Sequence, residues 1–192
     1  MYRLLFYSFI LTASSQLRAG VVISVEPALQ TVRVGSSFLV NVKISGLGAG
    51  TSLGVYDLNL WFNPILLSYN GTTFGNQLDL FGLGDIQSAT PSSGSINLFE
   101  LSLESVSDLN SLQSAAFTLA TLNFTASATK VGSPLTLSLN ALGDASGNSI
   151  TVYLQDGLVT IEQPSGVPEP SSLLYSILGI FILAVRTRTF RR

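Results

Sequence analysis

The chain has 192 residues, 46% of them hydrophobic and only 10% charged, with no cysteine and no histidine. Those absences exclude disulfides, thiolate chemistry, the usual catalytic base, the commonest transition-metal ligand and every Ser-His-Asp arrangement. The formal charge of −2 conceals a split: from Gly20 to Gly166 three cations stand against ten acids, while four arginines crowd the last seven residues. An acidic centre argues against nucleic acid as a partner.

The opening "MYRLLFYSFILTASSQLRAG" places Arg3 before an apolar run from Leu4 to Leu11, followed by small and polar residues. That order is a secretory signal peptide, read as residues 1–19. Cleavage falls after Ser15 or after Ala19, and Ala19 is preferred because the first strand pattern begins at Val21.

Strand signals then follow one another. Val21 to Glu26 and Thr31 to Val34 come first. In "SSFLVNVKIS" Phe38, Val40, Val42 and Ile44 take one face, and Leu39, Asn41, Lys43 and Ser45 the other. In "VYDLNLWF" Tyr56, Leu58, Leu60 and Phe62 alternate with Val55, Asp57, Asn59 and Trp61. Such period-2 alternation marks half-buried strands. Leu66 to Tyr69 continues the series, and Phe74 to Thr90 reads as a long loop. After Ile96 to Leu103, "SVSDLNSLQ" offers one helical turn, capped by Ser107 or Asp108 and carrying Leu109 and Leu112. Phe117 to Ala126 is a strand. "SPLTLSLNAL" sets Leu135, Leu137 and Leu139 against Thr136, Ser138 and Asn140. Ile150 to Ile161 reads as one strand or as a hairpin turning at Gln155-Asp156-Gly157. Gly- and Asn-rich breakers separate the runs, and Gly46 to Gly50 lies between two strands, which makes it a connection and not a dinucleotide loop. About nine strands with one apolar face each predict an all-β, antiparallel β-sandwich over residues 20–163.

The end of the chain has three parts. Residues 164–172 form a linker containing Val167, Pro168, Glu169 and Pro170. Residues 173–185 are apolar, and a helix of that length spans roughly 20 Å against a hydrocarbon core of about 30 Å. The span is short for a permanent anchor but serves as a C-terminal transmembrane helix. Arg186, Arg188, Arg191 and Arg192 follow, and the positive-inside rule places residues 186–192 in the cytoplasm and the domain outside.

The Pro-Glu-Pro triplet, the short apolar span and the arginine-rich end resemble the PEP-CTERM sorting signal of bacterial exopolysaccharide producers. The resemblance implies secretion machinery and an exosortase as partners, transient anchoring in the inner membrane, cleavage, and delivery to the cell surface or extracellular matrix. The stretches "VRVGSSFLVNVKISGL", "LGVYDLNLWFNPILLSY", "FTLATLNF" and "LTLSLNALGDASGN" are similar to cohesin-like domains. These are jelly-roll sandwiches in the carbohydrate-binding-module superfamily, and Asp57 to Pro64 fits their Asp-x-Asp/Asn-Leu-x-Phe-Asp/Asn-Pro run.

Candidate sites are few. Asp57, Asn59 and Trp61 share an outer strand face, where an indole supplies a flat apolar surface and the polar groups fix orientation. Asp144, Ser146 and Asn148 place oxygens at alternate positions, as calcium loops do, but lack the glycine and glutamate of a strong site. Asp79 and Asp85, flanking Gly82 and Gly84, are comparable. Glu100 and Glu104 lie about 13 Å apart on one strand, too far for glycoside hydrolysis, and read as solvated outer-face charges. Asn70 and Asn123 fit the glycosylation triplet. The expectation is an exported, non-catalytic binding or structural protein without a cofactor, weak calcium aside. A polysaccharide-binding module and a protein-docking module of cohesin type are the alternatives.

Overall fold

The computed structural model describes residues 20–48 and 50–163. The expected signal peptide (1–19), PEP linker (164–172), transmembrane helix (173–185) and arginine tail (186–192) lie outside the described residues. Within them the elements are β1 (Val21–Glu26), β2 (Leu29–Arg33), β3 (Ser37–Ser45), β4 (Leu53–Trp61), β5 (Leu67–Phe74), β6 (Asp85–Ser92), β7 (Ser95–Ser102), α1 (Val106–Leu112), β8 (Phe117–Ala126), β9 (Lys130–Asp144), β10 (Val152–Gln155) and β11 (Gly157–Glu162). A five-stranded sheet runs β10-β1-β3-β8-β5, and a six-stranded sheet runs β2-β11-β9-β4-β7-β6.

The apolar faces read from β3 and β4 close on each other. Val40, Val42 and Ile44 meet Tyr56, Leu58 and Leu60 in the space between the sheets, all at 1% exposure or less. Burying such side chains stabilises by about 1.5–3 kcal/mol each. Phe124 of β8 centres an aromatic group, with ring centroids 5.9 Å from Phe38, 5.2 Å from Phe62 and 5.9 Å from Tyr69.

The architecture differs from the expected antiparallel sandwich of about nine strands in two ways. Eleven strands are present among the described residues, and both sheets are mixed. β1 pairs parallel with β10, and β2 pairs parallel with β11. The cause is that both chain segments change sheets at the same level. The first crosses at Pro27-Ala28, the second at Asp156. No hairpin forms at Asp156-Gly157. Instead the Leu158 N–H donates to the Ala28 carbonyl at 2.8 Å, and the Leu137 N–H donates to Asp156 Oδ1 at 2.9 Å. The two crossings pack so closely that a Cβ on Gly157 would stand 2.5 Å from Val25 Cγ1.

The expected long loop from Phe74 to Thr90 is also corrected, because its second part is β6. This edge strand pairs with β7 from Asp85↔Ser102 to Ser92↔Ser95. Its Gln, Ser and Thr side chains carry no alternation, so hydropathy alone conceals it. The helix starts earlier than expected. Ser105 is the cap: its Oγ accepts from the Asp108 N–H at 3.1 Å and donates to Asp108 Oδ2 at 2.6 Å. Leu109 is buried, whereas Leu112 is exposed.

Candidate functional site

Asp57, Asn59 and Trp61 emerge on the outer face of the six-stranded sheet, opposite the buried Tyr56, Leu58 and Leu60. The neighbouring strands complete the site. Asn97 of β7 lies directly across from Asn59, and Ser138 of β9 lies across from it on the other side. A register shift sets Asp57 against Ala141 and Leu58 against Leu139, which leaves Asn140 as the extra residue of a bulge. The bulge has a sequence cause. Leu135 and Leu137 point inward at odd positions, but Leu142 is also buried at an even one, so one residue must be absorbed between them. That residue is Asn140, and the bulge holds it on the outer face beside Asp57.

One hydrogen-bonded strip results. The Asn97 amide donates to Asp57 Oδ1 at 2.6 Å and to Asn59 Oδ1 at 3.1 Å. The Asn140 amide donates to the same Asp57 oxygen at 2.9 Å. Asn59 in turn donates to Asn140 Oδ1 at 3.3 Å. At the end of β4 the Trp61 indole N–H donates to Ser138 Oγ at 2.9 Å, with the side chain still 49% exposed. The ring is thus fixed by its polar edge while half its surface faces solvent. Both bonds to Asp57 fall on Oδ1, so the second carboxylate oxygen carries no protein partner among the described residues. Arg33 and Lys43 lie on β2 and β3, and Lys130 begins β9. The strip is polar, with one carboxylate and the Trp61 ring at its end, and Phe99 of β7 lies across from Asp57 on the same outer face.

No known family model matches the sequence, and no curated protein is similar to it. Solved structures do match. A non-cellulosomal cohesin from the hyperthermophilic archaeon Archaeoglobus fulgidus aligns with a TM-score of 0.60 at 20% identity, over 75% of this chain and 92% of that one. CaCohA2 from Clostridium acetobutylicum aligns at 0.60 and 21% identity, over 74% and 90% of the two chains. A type I cohesin–dockerin complex, Coh-OlpA-Doc918 from Clostridium thermocellum, aligns at 0.61 and 16% identity, over 74% and 99%. The fold is that of cohesin modules.

The other sequence candidates take different places in the cohesin fold. The Asp144 carboxylate accepts from the backbone of Ser146 at 2.9 Å and of Asn148 at 2.8 Å, and from the Asn148 amide at 3.0 Å. Those bonds, the Asn148 side chain foremost, hold its pKa below the usual carboxylate range. The turn closes on itself, and among the described residues no group of three or more acids could hold a metal ion. Asp79 likewise accepts from the Gly84 N–H at 3.0 Å. Asn70 and Asn123 are neighbours on the five-stranded sheet, joined by a 3.3 Å bond.

Glu100 overturns its expectation. It is 1% exposed and lies on the inner face, because it continues the parity of Ile96 and Leu98. The Tyr56 hydroxyl donates to its Oε2 at 2.7 Å. Burial, with Asp85 acting in the same direction, pushes its carboxyl up to about 8. Burial and Glu100 push the Tyr56 hydroxyl up as well. Glu104 stays at the surface, where its Oε1 accepts from the Phe81 N–H at 3.1 Å.

Proposed function

We propose that this chain is a non-catalytic docking module, exported to the cell surface, whose β9-β4-β7-β6 face engages a partner protein. The observation that carries the reading is Trp61, half exposed and pinned by Ser138 at the end of an internally hydrogen-bonded polar strip. Interface hot spots favour such anchored aromatic side chains within rigid surroundings. The solved cohesin-fold complexes, in which the partner is a dockerin, support docking as the use of this fold. In this reading Asp57, Asn59, Asn97 and Asn140 set the partner's register, and Trp61 supplies most of the affinity.

The terminal segments complete the proposal. Residues 1–19 direct export, the span at 173–185 holds the product briefly, and an exosortase cuts near Val167 to Pro170. Intact mass of the protein from its producer's membranes and matrix tests this part. A species ending between Val167 and Ser172 is expected, and a full-length membrane species would overturn it.

For docking, immobilised chain is exposed to the producer's surface proteins. The retained protein is identified, purified and titrated by calorimetry. Trp61→Ala is expected to weaken binding by about 2 kcal/mol or more with the unfolding midpoint unchanged. Equal affinity in the variant overturns the assignment of the face.

A polysaccharide ligand is the second reading. It is favoured by the amide-rich surroundings of Trp61, since amides and an indole face also suit sugar hydroxyls and ring hydrogens. Retention on the producer's exopolysaccharide, lost in Trp61→Ala and without a protein partner, would select it.

A further inference from the structure

Glu100 is a buried carboxyl whose two oxygens are treated unequally. Its Oε2 receives the Tyr56 hydroxyl at 2.7 Å, while its Oε1 is fully buried with no donor. β6 pairs with β7 so that Asp85 faces Ser102 and Gln87 faces Glu100. Asp85 is therefore the diagonal neighbour of Glu100 on the same sheet face, a separation of about 7–8 Å that a long side chain can reach across. Two ionised carboxylates are acceptors only, and no hydrogen bond can join them unless one carries a proton.

We propose that Glu100 and Asp85 share one proton, forming an acid–carboxylate clasp that fastens the start of edge strand β6 and opens when that proton is lost. Glu100 Oε1 carries the proton and donates it to Asp85. The orphaned oxygen then becomes a satisfied donor, and every polar atom of the pair has a partner. The groups that face Glu100 are Tyr56 from β4, Asp85 from β6 and Asp79 from the loop before β6. All are neutral or acidic, so nothing there stabilises a second negative charge. Its raised value of about 8 agrees with this arrangement.

β6 is held chiefly by its ladder to β7. It is an edge strand whose Ile86, Gln87, Ser88 and Thr90 are exposed, and Pro91 offers no N–H. Asp85 is its first residue, and the loop before it is closed by the Asp79–Gly84 bond. Ionisation places two negative charges close together beside Asp79, at the start of an edge strand. The clasp stands independently of the docking reading, although β6 contributes Ser88, Thr90 and Ser92 to the rim of that face.

Hydrogen exchange of the purified full chain, read by mass spectrometry from pH 6 to 9 and corrected for intrinsic exchange, tests the clasp. Protection of the peptide covering residues 78–92 is expected to fall by roughly ten-fold per pH unit above the midpoint, while β3 and β4 hold theirs. Glu100→Gln keeps a donor toward Asp85 and cannot titrate, so its protection is expected to stay flat. A carboxylic C=O infrared band is expected at pH 7 in the parent chain and not in this variant. Flat protection in the parent, an equal fall in Glu100→Gln, or no such band overturns the proposal. So does a response of the pair to EDTA, which would assign the shared position to a cation. Should Glu100→Gln fail to fold, Asp85→Asn decides: the band is expected to disappear at lower pH, and an unmoved midpoint overturns the clasp.

Discussion

A carboxyl group between two β-sheets is tolerated only while its oxygens are matched, and Tyr56 supplies one of the matches. Tyr56→Phe removes a buried donor from both Glu100 Oε2 and the Leu119 carbonyl. The expected cost is about 1–3 kcal/mol in urea denaturation, and a smaller loss would mean that water takes the hydroxyl's place. The pH dependence follows by linkage. Glu100 sits near 8 in the folded chain against 4.5 for the free group. Between those values the folded state holds a proton that the unfolded state has lost. Its contribution is therefore fully present below about 4.5 and declines as pH rises, by at most about 1.4 kcal/mol per unit, until it levels off above about 8. Glu100→Gln is expected to flatten that slope, as measured by denaturation midpoints at pH 5, 6.5 and 8. Asp144, held low in its exposed turn, works in the opposite direction at the acid end. The inward position of Glu100 was legible in the sequence, since it follows Ile96 and Leu98 at the same parity. A carboxylate's usual preference for water points the other way, and here the parity of the strand decides. Trp61 shows the converse, because alternation alone placed it outside, where it is found.

Strands that carry one apolar face announce themselves, and β3, β4 and β8 lie where their patterns predict. What escapes is whatever depends on a partner strand. β6 carries isolated apolar residues, Ile86 and Ala89, on opposite faces without a stripe, and exists because β7 offers it a ladder. Asn97 joins the candidate site only through the β4–β7 register, and Asn140 only through the bulge in β9. The paired sheet crossings are equally invisible, because Asp-Gly signals a turn without saying whether the chain folds back or passes to the other sheet. Their packing is testable. A Cβ at residue 157 would meet Val25 Cγ1 at 2.5 Å and Cβ at 3.0 Å, and both atoms belong to a side chain that is 1% exposed. Gly157→Ala is expected to cost about 1–3 kcal/mol through overpacking. Val25→Ala alone should cost a similar amount through the space it leaves. The double variant should be more stable than the sum of the two losses predicts, by about 1 kcal/mol in a double-mutant cycle. Strict additivity would show that the crossing relaxes elsewhere.

The two crossings also determine how the domain hangs together. The segment from Val21 to Arg33 and the segment from Val152 to Glu162 run side by side in the same direction, first in one sheet and then in the other. β1 is interior to the five-stranded sheet and β11 is interior to the six-stranded one. The last strands of the domain thus pair with its first, and neither sheet is complete without both. Contacts of such long sequence separation close late and make folding slow. They also make the domain all-or-none. Residues 20–163 alone are expected to unfold in one cooperative transition, with calorimetric and van't Hoff enthalpies equal. A chain ending at Thr151 loses β10 and β11 together, exposes the flanks of β1 and β9, and is expected not to fold at all. Two separate transitions in the longer fragment, or a cooperative one in the shorter, would mean that the sheets are stable independently. The same topology bears on the proposed processing. Among the described residues the last strand ends at Glu162, and the proposed cut lies at Val167 or beyond. Removal of the tail touches none of the described strands, so the released domain is expected to unfold at the temperature of the full chain. A drop of several degrees in scanning calorimetry, at about 2–4 °C per kcal/mol for a domain of this size, would show that the residues beyond Glu162 hold the domain together as well as address it.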